Sequence, residues 1–296
     1  GRHHTFYNEM RVDPAERHLR TVVTSGALLS TEDRKQIATI MFGTFNANAL
    51  FITNRAIAAL HSSGRTTGVV VHVGFSTAVV VPVHEACVPT DSVVTLPFAG
   101  VDITNNLVNI LAERGLNLTS TAEREWMDAV KKEFCYVAED FERDLETACQ
   151  DPTQIQRMLE WTNCCYGGTA PFQICDERFR CTEILFRPAL HSESASATAP
   201  GPSLHQAVLD AISNTSKDLH VRLLRNVVLS GGTTELPGLA NRLRSELSRL
   251  AHGGADVQVH SLGSDAAYKG ALTLSAAPEF QHWWVYRDKF DSETKE

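Results

Sequence analysis

Residues 227–238 read VVLSGGTTELPG, and this stretch decides how the surrounding chain is read. Val227, Val228 and Leu229 form an apolar run that leads into Gly231-Gly232-Thr233-Thr234. Pro237-Gly238 then precedes Leu239, Leu243, Leu247 and Leu250. The pattern predicts a buried strand, a tight turn and an amphipathic helix. The two glycines let backbone N–H groups come close to a phosphate or a nucleobase. Taken in isolation, the stretch reads first as a strand–helix elbow that binds nothing.

Downstream, residues 257–260 are short and strand-like, and the chain closes on EFQHWWVYRDKF and a charged tail. Upstream, Leu204, Val208 and Ile212 mark another amphipathic helix. Before it, HSESASATAPGPS at 191–203 has the small, polar composition of a flexible loop. Residues 161–174 predict strands about a Gly167-Gly168 turn. Ser120-x-x-Glu123 is a capping box, and Trp126, Val130 and Phe134 continue its helix, which is expected to reach Cys149. Ile103, Leu107, Ile110 and Leu111 set a helix ended by Gly115. GVVVHVGFSTAVVVPV at 68–83 predicts a β-hairpin about Gly74-Phe75-Ser76-Thr77. Before the hairpin, an apolar segment from Ala49 to Leu60 reads as a helix, and a capping box at Ser30-Thr31-Glu32-Asp33 opens another through Ile37, Ile40, Met41 and Phe45. Strands alternating with helices, and one helical insertion, predict an α/β protein with two lobes.

The composition is that of a globular chain: 296 residues, 43% hydrophobic and 21% charged. A net charge of −8 argues against a nucleic-acid binder that neutralises phosphates. No apolar run approaches the roughly 18 residues of a membrane span, and no signal-peptide pattern is read at the N-terminus. The opening on Gly1 and a dense GRHHTFYNEMRV is read as the mark of a fragment.

Seven cysteines without C-x-x-C spacing suit reduced thiols in a cytosolic or nuclear protein. Cys164, Cys165, Cys175 and Cys181 are a poor zinc set, because adjacent cysteines are awkward for one tetrahedral ion. His3-His4 read as packing or surface residues, and Glu139, Asp140 and Glu142 as a solvated helix face. Trp283-Trp284 reads either as a partner anchor or as one buried and one exposed ring. No nucleophile-elbow context supports a hydrolase triad. No metal site is expected.

HHTFYNEMRV, SGRTTG, STAEREWMDAVKKEFCYVAEDFE, DERFRC, VVLSGGTTELPGLANRL and the closing FQHWW…DKFD together resemble conventional actin, in its order and near its spacing. The resemblance spans essentially the whole chain. It implies the two-lobed actin/sugar-kinase/Hsp70 ATPase fold with nucleotide between the lobes. Residues 1–62 with 266–296 then match a partial small-domain base. Residues 63–98 with 188–265 match the large-domain base, and 99–187 its inserted subdomain. The family's first phosphate hairpin and small upper subdomain would lie before the HHTFYNE block and are expected to be absent, leaving an open sheet edge.

The resemblance also implies altered chemistry. The family's second phosphate loop, D-S-G-D-G, places its two aspartates at His72 and Phe75, which supply no negative charge for a metal's water shell. The water-orienting glutamine falls at Arg55, and the nearby histidine at Val79. The adenosine-contacting arginine and glutamate fall at Asp128 and Lys132, and the Met-Tyr after GGTT at Glu235-Leu236. Gly74, Gly100, Lys131, Gly231, Gly232 and Thr233 remain as nucleotide-binding remnants. Losing several groups that act together leaves little hydrolysis to expect. No cofactor is expected; the alternative is ATP or ADP with Mg, if an upstream phosphate hairpin exists.

The family's hydrophobic plug falls in the polar 191–203 segment, so conventional self-polymerisation is not expected. The cleft that receives helical partners matches Gly64, Thr66, Glu85, Leu274, Ala277, Glu279 and Trp283, with His61 and Cys87 in place of tyrosines. An amphipathic helix is the expected partner. The expectation is a non-catalytic, actin-like interaction subunit of a cytoskeletal, axonemal or chromatin-associated assembly. It would be cytoplasmic and cytoskeleton-associated, with the nucleus left open, and would use neither nucleic acid nor membrane. The alternative is a divergent ATP-binding actin whose first phosphate loop lies outside this sequence.

Overall fold

A computed structural model describes residues 4–13, 20–116, 118, 120–163, 168–191, 201–251 and 256–293. In chain order the first elements are β1 (Thr21–Ser25), α1 (Thr31–Thr39), β2 (Ala49–Asn54), α2 (Arg55–His61), β3 (Gly68–Val73), β4 (Ala78–Val83) and β5 (Val94–Leu96). Next come α3 (Gly100–Glu113), α4 (Thr121–Phe134), α5 (Phe141–Gln150), β6 (Arg157–Asn163), β7 (Gly168–Ile174) and α6 (Glu177–Arg180). The remainder are α7 (Leu204–Ser213), α8 (Lys217–Leu224), β8 (Val227–Ser230), α9 (Leu239–Leu250), β9 (Val259–Ser261), α10 (Ala266–Ala276), β10 (Val285–Tyr286) and α11 (Arg287–Glu293). Mixed sheets with helices make this an α/β fold. No helix among the described residues is long and apolar enough to cross a membrane.

The chain divides into two compact units. The first comprises Gly1–Thr67, Val83–Thr90 and Asp265–Glu296. Its sheet has the order β1-β2-β10. β1 runs parallel to β2, with Thr21 opposite Leu50 and Ser25 opposite Asn54, and β10 is antiparallel to β2. Ala49, Phe51, Ala58, Ala271, Leu274 and Trp284 pack into one core cluster, and Met41, Phe42, Phe45, Ala47 and Leu50 into another. Gly270 lets α10 approach α2, since a Cβ there would stand 1.7 Å from the Ala58 carbonyl oxygen. The Ser30 capping box forms, with Asp33 as its reciprocal partner.

The helix expected over 49–60 is corrected: it is a strand followed by a helix. Parallel pairing with β1 holds Leu50–Asn54 extended, and Ala49 pairs with Tyr286 of β10. Asn54 then caps α2, its side chain accepting from the Ala56 N–H at 2.8 Å.

The second unit comprises Gly68–Pro82 and Asp91–Ser264. Its five-stranded sheet has the order β5-β4-β3-β8-β9, with β3, β8 and β9 parallel and β4–β5 antiparallel. The expected hairpin at 68–83 and the strand–turn–helix around GGTT are both present. Leu239, Leu243 and Leu247 are fully buried; each contributes about 1.5–3 kcal/mol by leaving water. The strands expected over 161–174 are β6 and β7, antiparallel, with Arg157 opposite Ile174. Their turn, with Cys164 and Cys165, lies outside the described residues. So does most of the expected 191–203 loop, although Ser203 caps α7 by accepting from the Gln206 N–H.

The single helix expected from Ser120 to Cys149 is corrected to α4 and α5. Cys135 leaves the helical region, the Tyr136 N–H donates to the Arg178 carbonyl at 3.1 Å, and the Val137 N–H donates to the Pro237 carbonyl at 2.8 Å. Asp140 then caps α5. Helix α8 was not anticipated.

Candidate functional site

The tip of the β3–β4 hairpin meets two other turns of the second unit. Its Gly74 N–H donates to the Thr77 carbonyl at 2.8 Å, closing the turn. The Gly74 carbonyl accepts from the Gly100 N–H at the start of α3 and from Thr233 Oγ1 in the GGTT turn, both at 2.9 Å. The junction is too tight for larger residues. A Cβ on Gly100 would stand 2.5 Å from Thr233 Oγ1, and one on Gly231 the same distance from the Val73 carbonyl oxygen. Gly231 also has φ +99, which favours glycine.

Lys131, on α4, lies beneath this junction and is only 3% exposed. Its Nζ donates to the Gly100 carbonyl at 2.8 Å, Thr104 Oγ1 at 2.9 Å and Asp128 Oδ1 at 2.6 Å, using all three of its donors. Asp128 Oδ2 pairs with Lys132 Nζ at 2.5 Å. Burial pushes the Asp128 carboxyl up, but hydrogen bonds and charge from Lys131 and Lys132 outweigh it and hold the group below its usual value. The Phe75 ring is 58% exposed and carries the Lys131 ammonium 5.8 Å from its centroid.

A cavity of about 260 Å³ lies here, lined by Phe75, Asp128, Lys131, Lys132, Gly232, Thr233, Glu235 and Leu236. Four of the six remnants (Gly74, Gly100, Lys131 and Thr233) are joined by hydrogen bonds, Gly231 lies against the Val73 carbonyl, and Gly232 lines the cavity. His72 sits in β3 opposite Ser230 of β8. Val79 is half-buried in β4, opposite Thr95. Arg55 opens α2 of the first unit. Thr104 escaped the sequence reading, because a helical threonine bonding the carbonyl four residues back, here Gly100 at 3.2 Å, leaves no distinguishing signal in the sequence.

These residues do not fit a magnesium nucleotide. The hairpin turn offers no carboxylate to a metal's water shell. The cavity's two carboxylates are engaged: Asp128 by two lysines, and Glu235 Oε1 by the Ser264 N–H at 2.7 Å. Among the described residues no group of three or more His, Cys, Asp or Glu side chains could hold a metal ion.

The first unit has a different cavity, of about 240 Å³. Ile57, Leu60 and His61 of α2, Leu274 of α10, and Arg65, Thr66, Val83, Ala86, Glu279 and Phe280 line it. Thr66, Leu274 and Glu279 of the expected partner cleft are therefore brought together, whereas Gly64, Glu85, Ala277 and Trp283 are outside the lining. His61 stands edge-on to Phe280 at 6.2 Å. Trp284 is buried against Phe51, and Trp283 is 49% exposed, so one ring is core and the other open.

A comparison with protein families matches residues 2–296 to the family model described as Actin.

Proposed function

Because the chain belongs to the actin family, we propose that it acts as a non-catalytic interaction subunit of a cytoskeletal, axonemal or chromatin-associated assembly. The observation that carries this reading is the Lys131 node. Backbone turns of the kind that cradle phosphate are kept, but the hairpin turn has no carboxylate and the lysine's donors are spent on its own chain. Hydrolysis needs a metal, an oriented water and charge stabilisation acting together, and this set provides none of them.

The first unit's apolar cavity supports the interaction half of the proposal. Ile57, Leu60, Leu274 and Phe280 form a wall suited to the apolar face of an amphipathic helix, with Arg65 and Glu279 as charged positions in the same lining. The setting proposed is cytoplasmic and cytoskeleton-associated, without conventional self-polymerisation and without nucleic acid or membrane partners.

The test is nucleotide extraction from gently purified protein, followed by an ATPase assay. An empty protein with no turnover is expected. Stoichiometric ADP or ATP would instead establish the divergent ATP-binding actin.

A further inference from the structure

We propose that Asp128 sets the charge of what the cavity beside Phe75 accepts: its carboxylate stands where an anionic ligand would, and so keeps polyphosphates out. This rests on the reading of the site as retired from nucleotide chemistry, and it names the residue that keeps it closed.

Two cations meet one carboxylate here. Lys131 and Lys132 follow Asp128 at i+3 and i+4, so α4 places all three on one face. Asp128 uses both oxygens, Oδ1 toward Lys131 and Oδ2 toward Lys132, and Thr104 Oγ1 lies 3.2 Å from Oδ1. Lys131 has a side-chain exposure of only 4%, so water cannot neutralise it and it requires an anion at contact distance. Lys132 has an exposed side chain, and its ammonium pairs with the same carboxylate at 2.5 Å.

An incoming phosphate meets two cations whose charge is already shared, with a fixed negative charge between them. Removing that carboxylate leaves two lysines on the wall of a cavity whose other lining includes Gly232 and Thr233 of the GGTT turn. A polyanion then becomes the available partner, and charge-assisted contacts to it are the strong kind. Glu235 also lines the cavity, but Ser264 engages it and it touches neither lysine in the contacts described.

The experiment uses the whole chain, with inorganic pyrophosphate and ADP as probes, by titration calorimetry at low salt. Wild type is expected to show no saturable binding. Asp128→Asn is expected to bind pyrophosphate saturably, at least about tenfold more tightly than the weakest binding the titration detects, the change one added charge-assisted contact supplies. The gain should vanish in the double variant Asp128→Asn/Lys132→Ala. Should Asp128→Asn not fold, Asp128→Ser is read by its thermal midpoint, which pyrophosphate should raise while leaving wild type unmoved. A folded Asp128 variant with no gain, or a gain that survives loss of Lys132, overturns the proposal and leaves the retired-site reading standing. Tight ADP binding by wild type overturns that reading itself.

Discussion

The Gly74–Gly100–Lys131 junction and the cavity beside Leu274 are built in opposite ways. At the junction the close backbone approaches are kept, while the polar side chains satisfy one another: Lys131 bonds Gly100, Thr104 and Asp128, and Thr233 bonds Gly74. At the Leu274 cavity most of the lining is apolar, with Leu60 and Leu274 themselves buried, and His61, Arg65, Thr66 and Glu279 supply its polar positions. A polar site can be retired by pairing its groups internally, because hydrogen bonds and charges saturate. An apolar wall does not saturate, and it stays available to any complementary surface.

The hardest way to break this contrast is to remove the helix contact beneath the open cavity. Gly270→Ala places a Cβ 1.7 Å from the Ala58 oxygen, and overpacking of this kind should cost about 3 kcal/mol or more in urea denaturation. A loss under about 1 kcal/mol would mean that α2 and α10 slide apart freely. Next in size, Lys131→Ala strips the junction of its centre and leaves Asp128 beside Lys132 alone. A loss of about 3 kcal/mol is expected, and near-neutral behaviour would show the node to be dispensable. Leu274→Ala removes a buried wall of the cavity and should cost about 2 kcal/mol. The same change should weaken an amphipathic helical peptide that wild type binds, and unchanged peptide affinity would place the partner elsewhere.

The smallest effect is a pH dependence. The folded Asp128 carboxyl lies below its usual value of 3.8 because of the two lysines. Its contribution is therefore present above that value and is lost as pH falls through the lower, folded one. On acidification below pH 3.8, wild type should lose more stability than Asp128→Asn. Parallel curves for the two proteins would remove Asp128 from the acid response.

Much of the fold could be read locally. The continuous β-branched runs around Gly74 and the helical leucine spacing after Gly238 each mark their element locally. What escaped was set by distant partners. Ala49–Asn54 looks helical by composition and becomes a strand because Thr21–Ser25 lies parallel to it. The break after Phe134 exists because Tyr136 and Val137 bond residues 42 and 100 positions further on, Arg178 and Pro237. In the site, residue types were legible but their engagement was not. Asp128 and Lys132 stood out as replacements, yet their pairing with each other, and that of Lys131 with Gly100 and Thr104, depends on where α3 and α4 meet.

By itself, then, the amino-acid sequence determined the α/β class, the hairpin, the glycine elbow and kinship with actin, because period, turn chemistry and ordered motifs are local properties. Tertiary structure alone decided that the Gly74 and GGTT turns bond each other and that Leu274 shares a cavity with Leu60 and Phe280. Those outcomes depend on which donor finds which acceptor and which apolar face finds a cover, and such pairings are settled only when distant segments meet.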